Sequence, residues 1–161
     1  TGKLVEVLQV TKEVVAPALA ERLGLRFVDL IRLAQTESLT DYLQPGLQGF
    51  AKGARNVRDL TYRFEAIGQT DVGTLVTRVL QTADGTYLPP GLEAAGLQFA
   101  PEIGKAELKT MLDFDHFSNV ARDFDPGRLV DDMWLLHDHT DKAFRASVTP
   151  HALQKWGQRS K

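Results

Sequence analysis

Two groups of side chains have the chemistry to hold a metal ion or move a proton. Asp113, Asp115 and His116 lie close together, and His137, Asp138 and His139 are consecutive. On a helix, residues two apart are separated by about 200°, so His137 and His139 cannot chelate one ion from one face. On a strand, Asp113 and Asp115 point to the same side, opposite Leu112 and Phe114. A set of Asp113, Asp115 and His137 would suit acid/base or metal-assisted hydrolysis if the helix bearing His137 packs near the strand end. The plainer alternative is preferred: a histidine buried against one carboxylate, and aspartates that satisfy loop amides. No metal or other cofactor is therefore expected.

Asp29 is a further acid of interest. It interrupts an apolar alternation, and a carboxylate on the inner face of a strand needs a partner. The expected partners are Arg63, Arg78 or a loop amide, with catalytic use as the alternative. Lys52, Arg55, Arg58 and Arg63 form a basic cluster ahead of an acidic stretch from Asp113 to Asp141. A phosphate site is one use for it, and mutual neutralisation or plain solvation is the preferred one. No aromatic residues interleave with the arginines, so nothing favours nucleic acid. Phosphate-binding loops and the Gly-x-Ser-x-Gly nucleophile elbow are missing, and Ser118 and Ser147 support no Ser/His/Asp set.

These residues must be positioned by a small set of elements. Leu4, Leu8, Thr11, Val15 and Leu19 recur at helical spacing, and Pro17 ends or kinks that helix near Val15. Residues 23–33 alternate with period two and form a strand. Residues 38–43 read as a short helical turn stopped by Pro45 and Gly46. Residues 60–67 and 74–82 form two strands joined by a loop at 68–73, with Leu60, Tyr62, Phe64 and Ala66 inward. The segment 87–105 loses all periodicity among prolines and glycines. A last strand follows at 107–115. Asp125 and Pro126 then start a long helix reaching about Ala146, and Thr149 and Pro150 start a short terminal one.

The order helix, strand, short helix, three strands, long helix, short helix lacks regular strand–helix alternation. It predicts an α+β fold with a mainly antiparallel sheet of about four strands, covered on one face by the long C-terminal helix and the N-terminal helix. The 161 residues are expected to form a single domain. Hydrophobic residues make up 43% and charged ones 25%, as in soluble globular proteins. A net charge of −2 gives no bulk attraction to nucleic acid or anionic membrane. Cysteine is absent, which excludes thiol catalysis, disulfides and cysteine-based metal sites. No apolar run is long enough for a membrane span, and a cytoplasmic location is expected.

Two stretches carry a resemblance. Leu23-Gly-Leu-Arg-Phe-Val-Asp-Leu-Ile-Arg-Leu33, with Leu39 to Leu43, resembles a strand of the form Leu-Arg-Tyr-hydrophobic-Asn/Asp-x-Ile. Met111-Leu-Asp-Phe-Asp-His-Phe117, Leu136-His137, the run Ala143 to Thr149 and Trp156-Gly157 resemble a C-terminal signature. Both are similar to a sporadically distributed family of uncharacterised bacterial proteins, over Leu23 to Gly157. Phe27 stands where that pattern has Tyr, so no hydroxyl is carried over at this position. The resemblance implies no activity. It implies that the chain is the C-terminal part of a longer protein, as does its opening inside a helix, and it puts Asp29, Asp113, Asp115, His137 and Phe144 at motif positions.

The functional expectation is a non-catalytic interaction or assembly module, with a protein partner or a second copy of the chain. Trp134 and Leu135 on the long helix, at or beyond the edge of its apolar stripe and beside Asp131, Asp138 and Asp141, are the expected contact residues. The alternatives are the Asp/His hydrolase above and a small-ligand pocket lined by Phe27, Phe64 and Phe144.

Overall fold

A computed structural model describes residues 2–33, 36–49, 61–82 and 109–157. Its longer elements are helix α1 (Gly2–Val14), strands β2 (Leu23–Arg32), β3 (Thr61–Gln69), β4 (Thr74–Thr82) and β5 (Lys109–Ser118), and helix α2 (Pro126–Ser147). The short ones are β1 (Leu19–Ala20), β6 (Arg122–Asp123) and helix α3 (Pro150–Lys155), with 3-10 turns at Leu39–Asp41 and Pro45–Leu47. The four long strands form one antiparallel sheet in the order β2-β5-β4-β3, and α2 packs against it. The mixed helix and strand fold expected from the sequence is therefore present, with the N-terminal helix in place. The basic residues Lys52, Arg55 and Arg58, residue Leu60 and the 87–105 segment lie outside the described residues.

The chain divides into two compact units. The first comprises residues 1–27, 67–76 and 114–144. Here α1 ends as foreseen: Val15 N still bonds Thr11 O, and then Ala16 adopts a positive φ of 47° ahead of Pro17. A two-residue antiparallel ladder follows, with Leu19 opposite Asp123 and Ala20 opposite Arg122. Asp125 caps α2, its carboxylate accepting from Arg128 N at 2.9 Å, with Pro126 next. The buried stripe of α2 holds Leu129, Leu136 and Thr140. Phe144 meets Phe114 edge-on at 6.1 Å, which sets this helix on β5.

Close approach explains one glycine. A Cβ on Gly73 would lie 2.2 Å from the carbonyl oxygen of Phe117, so no side chain fits where the β3–β4 turn meets β5.

The second unit comprises residues 28–66, 77–113 and 145–161. Ser38 and Asp41 form a reciprocal capping box around the first 3-10 turn, with Asp41 Oδ2 accepting from Ser38 N at 2.9 Å. The turn is tied to the end of α2 by Gln44 N to Ser147 O (3.0 Å), Thr149 N to Tyr42 O (2.9 Å) and the Leu43–Val148 bridge. Thr149 caps α3, as its place before Pro150 predicts. Tyr62 and Phe64 turn inward as expected, whereas Ala66 is exposed.

Candidate functional site

The sequence-predicted site residues go to different places. Asp113 is fully buried on β5, and its Oδ2 accepts from Arg78 Nη1 at 3.0 Å. Arg78 also donates from Nε to Glu65 at 2.5 Å. Burial works against the Arg78 charge, but the two carboxylates outweigh it and raise its pKa. Asp113 is thus engaged as the acceptor of an ion pair. Asp115 is half-buried, with Arg22 at 4.0 Å.

Asp29 differs from expectation. It is exposed rather than turned into a core, and Arg78 serves Glu65 and Asp113 instead. The protein mass around Asp29 still removes enough water to raise its pKa.

His137 is exposed, so it is not the buried histidine foreseen. That place belongs to His116, which is fully buried in the first unit. Its Nδ1 lies 3.0 Å from the Leu136 carbonyl and its Nε2 lies 2.9 Å from Thr70 Oγ1. A carbonyl only accepts, so Nδ1 carries the proton. The Thr70 hydroxyl that meets Nε2 also lies 3.0 Å from the Gly73 carbonyl, and its oxygen accepts from the amides of Val72 (3.3 Å) and Gly73 (3.0 Å). The partners of this histidine are a hydroxyl and a carbonyl, not a carboxylate. The carboxylate–histidine pair in this unit is Asp71 with His139, at 2.7 Å.

Among the described residues no group of three or more His, Asp or Glu side chains is placed to hold a metal. No local pattern links Asp71 with His139, whose positions lie far apart in the chain. The alternation of β3 and β4 could have paired Glu65 with Arg78, since both fall on outward positions of one hairpin.

What the first unit does assemble is a line of rings at the surface. Phe27 of β2 meets His137 edge-on at 5.8 Å, and His137 meets Trp134 at 5.4 Å. Trp134 is 51% exposed, Leu135 47% and Phe27 39%. Trp134 and His137 are three apart and so neighbours on one face of α2, while Leu135 lies about 100° from Trp134 around the axis. Phe144, proposed with Phe27 as pocket lining, is instead engaged with Phe114.

No family model matches the chain, and neither the curated proteins nor the solved structures searched contain a match to it. No helix among the described residues is long and apolar enough to cross a membrane.

Proposed function

We propose that this protein is a non-catalytic interaction module that contacts a protein partner through the aromatic line Phe27–His137–Trp134, with Leu135 beside it. The observation that carries this reading is the edge-on contact of three rings, all of them belonging to exposed residues. Tryptophan supplies large contact area with few rotatable bonds, and anchors of this kind dominate binding energy at protein interfaces. His137 holds Trp134 on one side and Phe27 on the other, so the surface is prearranged before a partner arrives. Commitment of Asp113 to Arg78 and the surface position of His137 give the hydrolase alternative no comparable support.

The test compares wild type with Trp134→Ala in extracts of its own cells, using complex mass by size exclusion and far-UV circular dichroism. The expected result is a stoichiometric complex with wild type that is lost with the variant while the fold persists. A wild-type protein that elutes alone, or a complex indifferent to the substitution, would overturn the reading.

A further inference from the structure

Among the described residues β3 is an outer strand of the sheet, so one row of its backbone groups faces away from β4. Two contacts fix which row. Thr70 N donates to Gly73 O at 2.8 Å, and Glu65 bonds Arg78 across the hairpin at 2.5 Å. Both fit one register, in which 70 faces 73, 65 faces 78 and 64 faces 79. Antiparallel pairs alternate between bonded and non-bonded. Phe64 therefore turns its N–H and C=O towards β4, and Arg63 and Glu65 turn theirs outward.

Nothing in the sequence of this strand blocks the outward row. Residues Thr61–Gln69 include no proline and no lysine, the usual guards of an exposed edge. Thr61, Arg63, Glu65 and Ala66 are exposed, and Tyr62 and Phe64 are half-buried.

We propose that β3 pairs with β3 of a second copy of this chain, antiparallel about a two-fold axis at Phe64. In that register Arg63 lies opposite Glu65 of the partner subunit, and symmetry repeats the pair on the other side of the axis. Both are bonded positions, so each pair exchanges two backbone hydrogen bonds while its side chains attract. Phe64 meets Phe64 of the partner subunit at the non-bonded position, where side chains approach most closely. An axis at Arg63 or Glu65 would set like charges face to face, and one at Tyr62 or Ala66 would leave Arg63 and Glu65 unmatched. Of the centres from Tyr62 to Ala66, Phe64 alone opposes unlike charges. The short run Arg63-Phe64-Glu65 is thus self-complementary across a two-fold, which is the condition for a closed dimer.

This inference goes beyond the aromatic contact proposed above: it uses none of those residues and adds a second, separate contact with a copy of the chain. Sedimentation equilibrium over a range of concentrations tests it, with circular dichroism to verify folding. Wild type should approach a mass twice 17.9 kDa as concentration rises. Arg63→Glu places like charges across both symmetric pairs, and Arg63→Pro removes only an outward amide. Each should raise the dimer dissociation constant about tenfold or more, whereas Arg63→Lys should leave it nearly unchanged. Trp134→Ala should also leave it unchanged. A wild type that stays at monomer mass at its highest soluble concentration overturns the proposal. So does a dimer as tight in both Arg63→Glu and Arg63→Pro as in wild type. A dimer lost only in Trp134→Ala overturns the edge pairing while supporting the aromatic surface.

Discussion

His116 is the side chain whose removal should be felt most. It fills fully buried space beside α2 and satisfies Thr70 on one side and the Leu136 carbonyl on the other. His116→Ala opens a cavity and leaves the Thr70 hydroxyl one partner short. Truncations of this kind cost about 2–4 kcal/mol, and urea unfolding of the variant should show a midpoint lowered accordingly. Part of this residue's neighbourhood was readable beforehand. The strand around Met111 to Asp115 announces itself by its apolar residues, and its hydrogen-bonding histidine stands at the end. Which histidine is buried was not readable, because His116 and His137 differ only in where a helix and a strand meet. Periodicity fixes a face of an element, but not what that face is laid against.

Helix α2 starts where sequence chemistry puts it. Asp125 supplies a carboxylate to the first turn, and the Arg128 amide that it accepts lowers its pKa below the ordinary 3.8, helped by the positive charges of Lys12 and Arg128. The linkage has a definite sign. A carboxyl with a depressed folded pKa adds stability above the unfolded value, and that stability is lost as pH falls through the folded one. The urea midpoint of wild type should therefore fall as pH is lowered through and below about 4. In Asp125→Asn the amide oxygen still caps, so that component of the pH dependence should disappear while the helix remains. An equal acid response in the variant would show that other carboxylates account for it. The short elements followed the same local logic: 38–43 reads as a helical turn and Thr149 with Pro150 as a helix start, whereas the Ser38–Asp41 capping box emerged only in the structure. The extension of β5 to Ser118 was not readable either, since His116 and Ser118 lie past the expected strand end at 115, and only the Thr70 hydroxyl, the Leu136 carbonyl and the Arg122 guanidinium account for their polar groups.

At the scale of the whole molecule, stability is distributed unevenly. Helix α1 contributes no buried residue, and Val7, Val10 and Val14 are all more than half exposed. Phe114 and His116 on β5 are fully buried. Native-state hydrogen exchange should reflect that contrast. Amides of α1 should exchange first, and those of Phe114 and His116 only on the largest openings. Protection of α1 equal to that of β5 would mean that the helix is held by contacts other than burial. The functional residues follow a similar division. Trp134 and Leu135 could be placed outside the stripe of α2 by counting around the helix. The meeting of Phe27 with His137 required knowing which side of β2 faces α2, and no local pattern encodes that.

The imidazole of His116 also offers a view of the interior. Its ring proton on Nδ1 is sealed from water and directed at the Leu136 carbonyl. Such a proton exchanges slowly enough to give its own downfield line in a proton NMR spectrum. That single resonance would report whether the β3–β4 turn is seated on β5 and α2. It would disappear when Thr70 and Leu136 separate, and so serve as a native gauge of folding that needs no added label.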